Sequence, residues 1–544
     1  MSGVSAPAPA WVDTLDVPAG GQDFLGLRAA PQRLGYALMD GITTVTPHIR
    51  YLALRQWMLD AYWRQARPDK AAGFREFALR VECAIVVGNL LAGRQDTFLV
   101  GSTQAAERLE LGEDMIALGP VVKNPGAGIY AGACAQLGLE TAVIDGTPRP
   151  VSAPTVERGA GLAKVVDAQL RSTRLGAMIS DFGPPESASR ADLLEFGAAV
   201  HLDRWSDAER EALREVIMPG EPPTAEPFRR RARWRLGTYA ALLAMSSAAG
   251  LPTEAAVFTT AREGGHALPS MFWPVFDGWA VFGAQDLLVS VHEATMAAVT
   301  DALEDLPEGG DVAGTDLVQG LLSDEDGIDA ALRDCGLLQD GEHFHGVTFN
   351  TIADRVERLT DMHAETRGGV RRWMGGLSEQ NVGSLAISRS RTAAPLALLP
   401  VAWLLALRRV EPALLGQGPF AAHLGGGKLA LAGGVRSRVT AWRRDNPALP
   451  AVLAQMAHLT VRHHLDVAWT RMQSNPRSDA AHLYAEGDRW RFRTRFEPGR
   501  AASRILNASR WSAQLGLVDA QGLTAAGQER LASAVEQLGQ EPLA

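Results

Sequence analysis

Residues 506–527 read LNASRWSAQLGLVDAQGLTAAG. Leu506–Ala513 has the composition of a helix, which Gln514-Leu515-Gly516-Leu517 ends. Val518 then suits a short strand, Asp519–Gly522 a turn, and Leu523-Thr524-Ala525-Ala526-Gly527 the entry to a helix over Gln528–Leu538. An earlier stretch, Asn124–Leu170, repeats this order. Ala135-Gln136-Leu137-Gly138-Leu139 matches Ala513-Gln514-Leu515-Gly516-Leu517. A strand at Thr141–Ile144, a turn at Asp145-Gly146, a second extended piece at Pro150–Ser152 and a helix carrying Gly161–Val166 follow. An internal echo of this kind predicts a duplicated structural unit. The first copy lacks the L-T-x-x-G spacing of the second.

Helix, hairpin and helix in fewer than 50 residues resembles many bacterial winged-helix domains. The rest of the chain reads as helix: His48–Leu59, Phe228–Ala249, Phe282–Leu303 and the apolar run Ala393–Leu407. The expected fold class is therefore mainly α, a multidomain helical protein with one or two winged-helix modules carrying small β-wings. The expected divisions are a disordered 1–22, a helical domain at 23–119 and a winged-helix module at 120–190. A helical domain at 191–300, an acidic linker or excursion at 301–345, a helical domain at 346–460 and a C-terminal winged-helix domain at 461–544 follow.

The 544 residues carry a net charge of −9, which excludes a uniformly basic nucleic-acid coat while leaving room for a local basic patch. Three widely spaced cysteines, Cys83, Cys134 and Cys335, offer no C-x-x-C pair for zinc and no disulfide framework. The start lacks a signal peptide's basic and apolar segments. The longest apolar run falls short of the roughly 20 residues needed to span a bilayer. A cytoplasmic protein with no membrane partner is expected.

The densest local chemistry is Arg489-Trp490-Arg491-Phe492-Arg493-Thr494-Arg495-Phe496. As a strand of period two it would place four guanidiniums on one face and Trp490, Phe492 and Phe496 beneath. Arg500 follows. Arg504, Asn507 and Arg510 then fall near or on the helix before Gly516. Val461–Ser512 holds 10 Arg against 5 acidic residues, a local positive field in an acidic protein. Arg489, Arg491, Arg493, Arg495, Arg500, Arg504, Asn507 and Arg510 are the candidate nucleic-acid contacts, with double-stranded DNA as the candidate ligand. Two other readings stay open. The arginines can form a solvated or protein-binding face, or they can dock onto Asp301–Glu342 of the same chain, which holds 13 acidic residues and one basic.

Asp40–Leu59, DGITTVTPHIRYLALRQWML, opens with a turn, then places Thr46 and Pro47 as N-cap and first helical residue. Arg50 and Arg55 on this largely apolar helix call for buried partners. The segment resembles a signature of uncharacterised bacterial proteins, approximately PGIT-x-VT-x-x-x-RY followed by an aromatic helix. Such proteins are often found among phage-defence genes. Asp40 stands where Pro is common, which alters the turn. The resemblance implies a defence setting with other proteins of the same system as partners, and supplies no catalytic residue.

Signals for an enzyme are thinner. Glu342-His343-Phe344-His345 with Asp354, Asp361 and His363 supplies metal-ligand residue types, but Ile352, Val356, Leu359 and Met362 mark an amphipathic helix with the aspartates on its polar side. Arg462-His463-His464-Leu465-Asp466 sits in a helix whose Leu465, Ala468, Trp469 and Met472 are spaced for a core. Gly425-Gly426-Gly427-Lys428 lacks the remaining residues of a phosphate loop. No catalytic residue, metal or cofactor is assigned. The expected function is a non-catalytic DNA-binding or adaptor component of a bacterial multi-protein system, in antiphage defence. The alternatives are an enzyme, a metal-dependent hydrolase or nuclease assembled near residues 343–363, and a purely structural scaffold.

Overall fold

A computed structural model describes residues 23–44, 47–65, 67–94, 99–123, 126–221, 223–224, 226, 228–246, 251–361, 364–411, 420–424, 427–474 and 480–543. The protein is mainly helical, with small antiparallel strand pairs. It forms two compact units that interleave along the chain. One takes the described residues of Leu34–Trp279 and Ala502–Ala544, the other those of Met1–Arg33 and Ala280–Ala501. The contiguous succession of domains expected from the sequence is thereby revised, and the stretch 461–544 is shared between both units.

In the first of these units the helix Arg50–Arg64 is buried almost all round. It begins later than its cap pattern suggested. Ile49 precedes Arg50 in helical geometry, so Pro47 does not occupy the first turn, and Thr46 lies outside the described residues. Both buried arginines have partners. Arg50 meets Glu209 through two 2.8 Å hydrogen bonds and also donates to the carbonyls of His201 and Ala199. Arg55 meets Glu140 at 2.8 Å and 3.1 Å. Nearby, the helices Ala71–Leu91 and Arg190–Ala199 cross backbone to backbone at Gly88 and Gly197. A Cβ on Gly197 would lie 2.0 Å from the Gly88 carbonyl oxygen, a contact only glycine permits.

The internal echo folds as a pair of helix–hairpin–helix segments within this same unit. In the C-terminal copy, helix Ile505–Gln514 leads to strands Val518–Asp519 and Gly522–Leu523 and then helix Ala525–Gln540. In the earlier copy, helix Ala131–Gln136 leads to strands Glu140–Ile144 and Thr147–Pro154 and then helix Gly159–Leu170. The same threonine device closes both. Thr524 Oγ1 donates to the Gly516 carbonyl at 2.7 Å, its N–H donates to the Leu517 carbonyl, and its hydroxyl accepts from Gly527 N–H. Thr155 makes the equivalent bonds to Gly138, Leu139 and Gly159. The first copy therefore carries the motif with one extra residue between threonine and glycine.

The other unit contains a three-stranded antiparallel sheet in the order Asp311–Ala313, Arg489–Phe492, Leu483–Glu486. Helix Gly314–Leu322 follows the first strand, and helix Leu449–Ser474 precedes the hairpin of the other two. Helix Ala394–Arg409 is buried from Ala394 through Ala406, as its apolar run predicts. Asp301–Glu342, expected as a solvated linker, is instead part of this unit's body. It forms the Asp311–Ala313 strand and helices Gly314–Leu322 and Glu325–Asp334, whose Leu317, Val318, Leu322, Ile328, Ala331 and Leu332 are buried. A helix needs one apolar stripe, and acidic residues on its other faces do not prevent that. Trp469, expected in the core, is 62% exposed on the Leu449–Ser474 helix. Among the described residues no helix is long and apolar enough to cross a membrane.

Candidate nucleic-acid interface

The eight candidate residues fall in different units: Arg489 to Arg500 in one, Arg504 to Arg510 in the other. The arginine-rich strand is also shorter than its alternation suggested. Pairing stops at Phe492, so Arg493 and Arg495 lie beyond the ladder. Trp490 and Phe496 are buried as expected.

Most of these cations are engaged by the protein itself. Arg489 Nε donates to Asp311 Oδ1 at 2.9 Å across the sheet, and this bond holds the Asp311 carboxyl below its usual range. Arg491 faces Asp311 and Tyr484 in the strand register and is half-buried. Arg493 donates to the Ala481 carbonyl, with its guanidinium 5.6 Å from the Tyr484 ring centroid. Arg495 pairs with Glu304, while Phe496 N–H donates to Thr300 Oγ1 at 3.1 Å. Arg500 meets the buried Asp286 at 2.8 Å. Docking onto acidic residues of the same chain therefore describes Arg489 and Arg495, through Asp311 and Glu304.

Arg504 and Asn507 are interior residues. Arg504 is 5% exposed, donates to the Ile42 carbonyl at 2.8 Å, and lies over the Tyr36 ring at 3.7 Å. Burial holds its guanidinium pKa below the ordinary value. Asn507 Nδ2 donates to the Thr43 carbonyl at 2.7 Å. Neither side chain is presented to solvent as a groove-facing contact, because each satisfies backbone carbonyls of the segment that leads to helix Arg50–Arg64. Arg510 is half-buried.

The residues weighed for catalysis have structural neighbours. His343 Nδ1 lies 2.7 Å from Asp329 Oδ2, and the other oxygen of that carboxylate accepts from Phe344 N–H. Asp354 pairs with Arg443, and Asp361 with Arg371 and Arg408. Met362, His363 and Gly425-Gly426 lie outside the described residues. Lys428 pairs with Asp466 at 2.8 Å. Among the described residues no group of three or more His, Cys, Asp or Glu is arranged to hold a metal ion. The three thiols are buried, and burial pushes Cys83 up to about 11 and Cys335 up to about 12.

A different surface stands out in the unit that holds the three-stranded sheet. Helices Gly314–Leu322, Arg436–Asp445 and Leu449–Ser474 border a groove of about 480 Å³. Its polar lining is Thr315, Gln319, Arg438, Gln455, His458 and Arg462, and no carboxylate lines it. His458 packs edge-on to Trp490 with ring centroids 5.3 Å apart, which ties the groove to the central strand. Gln455, His458 and Arg462 recur at helical spacing on a helix otherwise rich in apolar residues. That stripe was visible in the sequence, but Thr315 and Arg438 come from distant segments.

No protein-family model, curated protein or solved structure matches this chain.

Proposed function

We propose that the chain is a non-catalytic DNA-binding or adaptor component of a bacterial multi-protein system. The strand order of one sheet carries this reading: Asp311–Ala313 lies beside Arg489–Phe492, which lies beside Leu483–Glu486. The C-terminal part of helix Trp273–Glu304 comes before the first strand, helix Gly314–Leu322 after it, and helix Leu449–Ser474 before the hairpin. Helix, strand, helix, helix, strand, strand, with the first strand against the last, is the connectivity of a winged helix. Residues 323–448 enter between its second and third helices. In helix-turn-helix proteins the recognition helix lies in the major groove and its N-terminal residues meet base edges. Leu449–Ser474 holds the equivalent position. The two helix–hairpin–helix segments of the other unit offer further small-winged modules of the kind expected at 120–190 and at the C-terminus.

The likeness of Asp40–Leu59 to a phage-defence-associated family supports antiphage defence as the setting. A scaffold or adaptor role without nucleic acid is favoured by one specific observation: Arg489, Arg495 and Arg500 are already paired with carboxylates. Equilibrium binding of the pure protein to labelled duplex DNA across a salt series separates the two. Affinity that falls steeply as salt rises supports phosphate recognition. No binding at about 50 mM salt would leave the protein-contacting role as the reading.

A further inference from the structure

We infer that duplex DNA, if this chain binds it as proposed above, is held through its phosphodiester backbone in the groove between helices Gly314–Leu322 and Leu449–Ser474, with Arg438 and Arg462 as the phosphate contacts. The arginine-rich strand is not that site. Three observations converge on the groove. Among the described residues, Arg438 and Arg462 have no carboxylate partner, in contrast to Arg489, Arg495 and Arg500. A guanidinium free of intramolecular pairing keeps its planar fork of donors available for phosphate. The groove also takes its polar side chains from the middle turns of the helix in the recognition position, at Gln455, His458 and Arg462, and from the facing helix at Thr315 and Gln319. Amide side chains there offer both donors and acceptors, as base edges require.

The third observation is the charge on the opposite side of helix Gly314–Leu322. Asp301, Asp305, Asp316 and Asp324, against the single cation Arg391, line a second groove there. Phosphate is repelled from that side and accepted on the other, which fixes the orientation of a bound duplex. An acidic peptide would also satisfy the two arginines, and its main chain could pair with the Gln319 and Gln455 amides; what favours nucleic acid is that Leu449–Ser474 stands where a winged helix has its recognition helix. Nucleic acid is therefore the favoured occupant.

The test is anisotropy titration of the full chain with a labelled random-sequence duplex, over a salt series, for four proteins: wild type, Arg438→Gln/Arg462→Gln, Arg438→Glu/Arg462→Glu and Arg489→Gln. The expected result is a loss of about tenfold or more in affinity for the Gln pair, and a log–log salt slope shallower by about two. The Glu pair should abolish binding, and Arg489→Gln should bind as wild type does. Circular dichroism melting checks that the groove variants fold, which their unpaired arginines predict. Wild-type binding unaffected by either groove variant overturns the groove assignment and leaves the DNA-binding reading standing. Absence of binding by wild type, or capture of a labelled polyaspartate peptide in preference to DNA, overturns both.

Discussion

The indole N–H of Trp403 donates to Nε2 of His292 across 2.9 Å, in a fully buried pair. His292 Nδ1 lies 2.8 Å from Thr460 Oγ1, and that hydroxyl donates to the Met456 carbonyl. With Nδ1 as donor and Nε2 as acceptor, both ring nitrogens are satisfied and the imidazole is neutral. Burial pushes His292 down to about 3. His464 follows the same logic in the same unit. Its Nδ1 donates to the Phe24 carbonyl, its Nε2 accepts from His482 N–H, and burial holds it at about 4.

These two histidines predict acid sensitivity with a defined window. Their folded pKa values lie below the ordinary value near 6.5, so the unfolded chain takes up protons first as pH falls. Stability is full above about pH 6.5 and declines from there to about pH 4 for His464 and about pH 3 for His292. Each histidine costs about 2 kcal/mol between pH 6.5 and pH 5. Urea unfolding at pH 7.0 and 5.0, on wild type and His464→Gln, checks this. A variant whose stability falls as steeply as that of wild type would remove His464 from the explanation.

Arg50 and Glu209 form an ion pair with both side chains fully buried. Removing one partner strands the other charge in the interior, a loss of about 3–5 kcal/mol. Arg50→Met should therefore destabilise severely, and adding Glu209→Leu should recover part of the loss, because the orphaned carboxylate is gone. Chemical denaturation of the single and double variants reads out the coupling. Equal stability of the two variants would mean that the carboxylate finds another partner.

Asn507 and Arg504 should behave as core residues. Asn507→Ala removes the buried hydrogen bond from its side chain to the Thr43 carbonyl, at a cost of about 1–3 kcal/mol. The DNA affinity of the folded fraction should be unchanged. A specific loss of binding at unaltered stability would return Asn507 to the interface.

The threonine device gives a matched pair of tests. Thr524→Val and Thr155→Val each remove a side-chain bond that closes a helix start, a loss of about 1 kcal/mol. Gly527→Ala is harsher, since its Cβ would lie 2.0 Å from the Leu517 carbonyl oxygen. Thermal melts of all three should rank Gly527→Ala as the least stable. Equal melting temperatures would show that the hairpin relaxes around the added methyl group.

Local grammar is legible in the amino-acid order alone. Leu515-Gly516-Leu517, the Asp519–Gly522 turn and Thr524-x-x-Gly527 encode their own hydrogen bonds within about a dozen residues, and the fold honours them. The apolar run at Ala393–Leu407 likewise specified a buried helix, and the burial of Arg50 and Arg55 demanded partners without naming them. Such features depend on side-chain period, glycine conformations and capping, all of which act over short spans.

Only the tertiary structure decided which distant segments meet. Nothing near Arg489 announces that its side chain will reach Asp311 on the neighbouring strand, nor that Glu304 and Asp286 will take Arg495 and Arg500. An alternating arginine strand looks the same whether its charges meet a ligand or the protein's own carboxylates. The sequence by itself determined the helices, the small hairpins and their internal echo. Pairing over nearly 180 residues, from Asp311 to Arg489, decided which arginines were neutralised, because a long-range contact is fixed by packing of the whole unit and leaves no local signature.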